Sequence, residues 1–207
     1  MCVCIILEFL IIFFLSFLEL SVGRVLGRGG FCVVNEVTKI NLLEGDASEA
    51  RLSVDEHQIH NRVQDRSFMA RHSIRKGKDY RYAIKRVQLK SKTDPQHYVN
   101  AVVDLATEAR FLSVIRHTNI IKMRAMDDAS PYTSGFFVVL DKLYDIMPTR
   151  LKKWKRQEGG TLKKMFQSKR SQNDFWLERL AVAYDLSYAL SYLHGMRYVA
   201  VAVVFVA

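Results

Sequence analysis

The sequence predicts an α+β fold: an antiparallel five-stranded sheet, one helix laid against it, and further helices after it. Three observations carry this expectation. Short runs rich in β-branched residues flank a glycine cluster at residues 27–30. The strand links are too short for the crossovers that parallel pairing needs. Residues 99–115 and 175–193 repeat apolar side chains at the three-and-four spacing of helices. With 207 residues, 49% apolar and 25% charged, the chain is long enough for a packed core and lacks the composition of a disordered one.

Residues 1–20 are almost wholly apolar, interrupted by Glu8 and Glu19. About 20 apolar residues suffice to span a bilayer. Arg24 and Arg28 follow the run and would leave the remainder on the cytoplasmic side. No Lys or Arg precedes it, unlike a secretory signal peptide. Three readings stay open: a membrane anchor, a buried N-terminal extension, or an artefact of where the coding sequence was started. Residues 21–40 read as two strands joined by a tight glycine loop. Residues 41–79 are polar without sustained periodicity and are expected to form a long loop or disordered insert. Residues 80–89 read as a strand. Asp94-Pro95 marks a break and a helix start, and 99–115 follows as a helix. Strands are expected at 120–126 and 136–140, with a turn between them. A short helix begins at 149–154, and 156–174 forms a second, basic insert. The helix over 175–193 places Leu177, Leu180 and Tyr184 on adjacent turns, with Leu186, Leu190 and Leu193 on the neighbouring stripe. Residues 199–207 form an uncharged, β-prone tail.

The formal net charge of +10 is local. Residues 71–92 carry nine Lys/Arg against one acid, Asp79, and residues 150–170 carry nine against Glu158. Such clusters suit acidic partners, phosphates or membrane surfaces, or else a solvated face. Neither stretch belongs to a known nucleic-acid-binding module, so no nucleic-acid partner is expected. Cys2, Cys4 and Cys32 make no disulfide framework, and no His/Cys spacing suggests a metal site. A reducing, cytoplasmic setting is the expectation.

Residues 26–34, Leu-Gly-Arg-Gly-Gly-Phe-Cys-Val-Val, lie between two strand-like runs. Glycines there allow backbone N–H groups to approach a polyphosphate, although glycine-rich hairpins are also ordinary turns. Ala83 and Lys85 share one face of their strand. A small residue beside an inward lysine leaves room for a ring and sets an ammonium near phosphates; an exposed strand lysine is the plain alternative. Glu108 falls on one helical stripe with Ala101, Leu105, Leu112 and Ile115. A carboxylate there needs a partner or must reach solvent at the stripe's edge, and Lys85 is the natural partner.

Taken together and in order, GRGGFCVV, YAIK and TEARFL resemble the small lobe of the eukaryotic protein kinases. Arg116-His117-Thr118-Asn119-Ile120-Ile121 is similar to the segment after that lobe's helix. Residues 137–143 resemble its last strand and hinge, and 177–194 its next long helix. The resemblance implies a kinase small lobe and hinge at 21–143, the start of a large lobe at 144–198, and an aberrant tail at 199–207. It implies ATP binding by Leu26, Gly27, Arg28, Gly29, Gly30, Phe31, Cys32, Val34, Ala83 and Lys85. Leu140 would be the gatekeeper, Asp141 and Leu143 would lend backbone groups to adenine, and Glu108 would position Lys85. Mg2+ is the family's cofactor and protein Ser/Thr its acceptor. Two departures stand out. Cys32 occupies the third loop glycine, and Ala202 the catalytic aspartate, so this chain is expected to be inactive alone. A pseudokinase-like binding or scaffold module is the alternative.

Overall fold

Alternation along one central strand sets the architecture. In β4 (Tyr82–Val87), Tyr82 and Ile84 face one way and Ala83 and Lys85 the other. The computed structural model describes residues 13–43, 56–75, 79–88, 94–133, 135–158 and 169–196. The chain divides into two compact units, Met1–Ile115 with Lys122–Lys142, and Arg116–Ile121 with Leu143–Ala207.

The first unit is a mixed sheet of six strands in the order β1-β5-β6-β4-β3-β2. Its other strands are β1 (Phe13–Leu15), β2 (Leu20–Arg28), β3 (Cys32–Ile40), β5 (Met123–Asp127) and β6 (Phe137–Asp141). Strands β2 to β6 pair antiparallel, as expected. The sheet is not five-stranded, because β1 adds to its edge by pairing parallel with β5. The α+β class stands, with four helices among the described residues. Helices α1 (Glu56–Arg71) and α2 (Pro95–Val114) belong to this unit.

The two helices lie on opposite faces of the sheet. Met69 of α1 joins Leu15, Leu20, Val37, Ile40, Tyr82, Ile84, Ala125, Phe137 and Val139 in one core. Helix α2 covers the Lys85 face with Ala101, Val102, Leu105, Ala109 and Leu112. Asp94 caps α2 by accepting from the amides of Gln96 at 3.0 Å and His97 at 3.2 Å, and Pro95 follows at the first turn. On β2, Gly23 marks a close approach: a Cβ there would sit 2.6 Å from the Thr38 methyl.

Helix α1 overturns the expected loop over its part of 41–79. It was illegible because the described residues that dock it, Arg66 and Met69, combine an ion pair with one core side chain rather than an apolar stripe. The Arg66 guanidinium binds Glu19 at 2.6 Å, and Glu19 is fully buried. Glu19 also accepts from the amides of Ser16 at 2.9 Å and Leu43 at 3.0 Å. One carboxylate thus joins the start of β2, the exit of β3 and α1. Residues 13–20 are accordingly strand and a 3-10 turn at Phe17–Glu19, with Leu15 and Leu20 in the core. Among the described residues no helix is long and apolar enough to cross a membrane. Residues 1–12, 44–55 and 76–78 lie outside the described residues.

The second unit contains α3 (Met147–Glu158) and α4 (Lys169–Gly195), so both ends of the expected basic insert, 156–158 and 169–174, are helical. Residues 159–168 and 197–207, including Ala202 and the apolar tail, lie outside the described residues. Trp154 is buried, with the Arg179 guanidinium 5.2 Å from its ring centre. Among the described side chains of α4, Val182, Ala189 and Leu193 are buried, whereas Leu177, Leu180 and Tyr184 are exposed. Of the expected neighbouring stripe, Leu193 is buried, Leu186 half-buried and Leu190 exposed.

At the end of β5, Asp127 is buried, which pushes its carboxyl up to about 6; the Ala129 amide opposes the rise and Asp128 adds to it. The folded chain therefore holds this proton more tightly than the unfolded one. Stability from this group is present at low pH and is lost as pH rises from about 4 through 6. Asp127→Asn should raise the unfolding free energy at pH 7.5 by about 1–3 kcal/mol, less at pH 5. Denaturant unfolding at both pH values tests this; an equal gain at both would contradict it.

Candidate functional site

Strands β2 and β3 form a hairpin whose turn, residues 29–32, carries the end of the glycine cluster. The Gly29 amide donates to the Cys32 carbonyl at 2.8 Å and closes the turn. A Cβ at Gly27 or Gly30 would meet nothing within 4 Å, and at Gly29 only the Cys32 carbonyl oxygen at 3.8 Å. The described packing does not require glycine at these three positions. Bare backbone there leaves room for close approach from outside. Phe31, at the tip, packs its ring 4.6 Å from that of His97 on the first turn of α2. Leu26 and Arg28 are exposed on β2.

The antiparallel register assembles the rest. Lys85 lies between Val34 of β3 and Val138 of β6, and Ala83 lies between Glu36 and Leu140. Residues directly opposite share a face. Val34, Ala83, Lys85 and Leu140 therefore form one surface, with Cys32 two residues along β3 from Val34. Ala83 and Leu140 are buried, while Val34, Cys32 and Lys85 are half-buried. Helix α2 brings Glu108 to this surface, where its Oε2 accepts a hydrogen bond from the Lys85 ammonium. The lysine is 17% exposed and the glutamate 24%, so the pair is reachable from solvent.

The Cys32 thiol reports the electrostatics of this surface. Burial pushes its pKa up; Lys85 opposes the rise, and Glu108 and Asp104 add to it. Cys32 is thus a protonated, weakly nucleophilic neighbour of the ion pair rather than a thiolate.

At the far end of the same face the structure adds groups that no sequence pattern marked. Glu36, opposite Ala83, is buried and bound by the Lys142 ammonium at 2.7 Å. Lys142 also binds Asp79 at 2.6 Å. Burial works against the charge on Lys142, but its hydrogen bonds to Asp79 and Glu36 outweigh that and raise its pKa. Asp141 is held by Arg124 through two hydrogen bonds, at 2.9 and 2.8 Å. The Asp141 amide donates to the Lys122 carbonyl at 3.0 Å, so the backbone group it could lend to a ring is its carbonyl. Leu143 belongs to the second unit and is half-buried there.

These residues do not fit a resident Mg2+. The carboxylate brought to Lys85 is already engaged by an ammonium, and the neighbouring thiol is protonated. Among the described residues no group of three or more His, Cys, Asp or Glu could hold a metal ion. What the surface offers is an apolar patch beside an accessible ammonium, on strands that adjoin the hairpin with the open glycine turn. No family model matches the sequence, and no curated protein matches it.

In a chain with Cys2 and Cys4 replaced by serine, Cys32 should alkylate at pH 8 more slowly than a free thiol. Glu108→Gln should speed the reaction and Lys85→Met slow it, because the first removes a charge that raises the pKa and the second removes the one that lowers it. Mass spectrometry of the Cys32 peptide reads the rates. Identical rates in the two variants would contradict this electrostatic picture.

Proposed function

We propose that the Lys85 surface of the first unit is an adenine-nucleotide site of the protein-kinase type. The observation that carries this reading is the Lys85–Glu108 ion pair set between the glycine turn and the apolar pair Ala83 and Leu140. In the reading, the purine lies over Val34, Ala83 and Leu140. The Asp141 carbonyl meets its edge. The Lys85 ammonium, oriented by Glu108, meets the phosphates, and Gly27 near the end of β2 and the turn at Gly29 and Gly30 lie over them. The preference is physical. An ammonium held by one carboxylate still has two N–H donors for phosphate oxygens, and apolar side chains beside it suit a flat ring.

The activity that goes with this site is phosphoryl transfer from ATP to Ser/Thr of a protein. Transfer depends on an in-line geometry and on metal-held charge neutralisation. No Asp, Glu or Asn follows Asp185 in these 207 residues. These residues therefore supply neither the proton acceptor nor the metal ligands of the resemblance. That favours nucleotide binding without transfer by this stretch of chain. It equally suits a pseudokinase-like module that uses the basic helix α3 to meet a protein partner.

Saturating Mg-ATP should raise the melting temperature of the full chain by a few degrees. Lys85→Met should weaken ATP binding by roughly tenfold, the scale of one charge-assisted hydrogen bond. The absence of any ATP-dependent shift, together with identical behaviour of Lys85→Met, would overturn the proposal.

A further inference from the structure

The glycine turn is held by a residue that lies outside it. Gln88 immediately follows β4 and is buried. Its side-chain Nε2 donates to the Gly29 carbonyl at 2.5 Å and to the Cys32 carbonyl at 3.0 Å. Its backbone amide donates to the Phe31 carbonyl at 2.9 Å. Three of the four carbonyls in residues 29–32 are thereby engaged by N–H groups of Gln88. The amides of Gly30 and Phe31 have no hydrogen-bond partner among the described residues.

This division of labour has a direct electrostatic consequence. A peptide loop can meet a polyphosphate only if N–H groups, and not carbonyl oxygens, face the anion. In an unrestrained turn, rotation of one peptide plane would exchange the two and set a carbonyl against a phosphate oxygen. A side chain that draws the carbonyls to its own side removes that alternative. Glutamine is well matched to this position because its neutral amide supplies two donors without adding charge. Glutamate could not donate, and a leucine of similar size would leave the Gly29 carbonyl unheld and the Cys32 carbonyl to the Gly29 amide alone.

We infer that Gln88 is a positioning residue for the phosphate part of the nucleotide, holding the carbonyls of Gly29, Phe31 and Cys32 so that the Gly30 and Phe31 amides are left for phosphate oxygens. The inference rests on the nucleotide site proposed above and gives that site its preference for a triphosphate over a nucleoside. Gln88 acts through the turn and does not itself touch the ligand.

The test compares ATP with adenosine in equilibrium binding to the full chain. Gln88→Leu should weaken ATP by roughly fivefold, the scale of a lost neutral hydrogen bond, and leave adenosine within about twofold. An equal loss for both ligands, or no loss for either, overturns the inference while leaving the nucleotide site in place. A second measurement needs no variant. In the wild-type chain, ATP should slow amide exchange at Gly30 and Phe31, read residue by residue by NMR. Unchanged exchange at both, with ATP bound, also overturns it. No binding of ATP by the wild-type chain overturns the site and this inference together.

Discussion

An inward lysine on the central strand of a sheet is the constraint around which the first unit is organised. Lys85 sits between β3 and β6, with Val34 and Val138 as its cross-strand neighbours. An ammonium placed there needs a carboxylate, and the covering helix supplies it. That requirement fixes α2 in rotation and in register. Glu108 can reach β4 only if Ala101, Leu105 and Leu112 meet the sheet on the same side. The pair is partly exposed, so its contribution to stability is modest, about 1 kcal/mol. Its consequence is positional: the ammonium is held in one place and remains open to solvent and to an anion.

The same logic recurs at the margins of the unit. Glu19 with Arg66, Glu36 with Lys142 and Asp79, and Asp141 with Arg124 each join segments distant in sequence. Three of the acids, Glu19, Glu36 and Asp79, tie elements whose connecting stretches are long or irregular. The two buried pairs, Glu19–Arg66 and Glu36–Lys142, add little net stability over an apolar equivalent, but removing one partner of either leaves an unpaired buried charge at several kcal/mol. The pairs therefore act as address labels. They specify which segment docks where, while the apolar core around Ile84, Phe137 and Val139 supplies the cohesion.

What the sequence made legible follows from this division. Alternation placed Ala83 and Lys85 on one face, helical spacing placed Glu108 in the buried stripe of α2, and Gly29 and Gly30 marked the hairpin turn. Each rests on a short-range period that apolar and glycine residues display openly. Helix α1 was hidden because its docking depends on Arg66 and Met69 rather than on a stripe. Strand β1 was hidden because an almost wholly apolar run reads equally as a membrane segment or a buried strand. On α4, bulk misled: Leu177 and Leu180 are exposed, while Ala189 and Val182 are buried. Gln88 and Lys142 bear on the site through contacts 56 to 106 residues apart in the chain, and no local pattern announces such contacts.

The nucleotide surface is the central claim, and photoaffinity labelling of the full chain with an azido-adenine analogue of ATP tests it most directly. The account predicts that unlabelled ATP competes for labelling, and that the modified peptides fall within residues 26–34, 83–85 or 140–142. Competed labelling on the outer face of the sheet, at α1, or on α3 would contradict it.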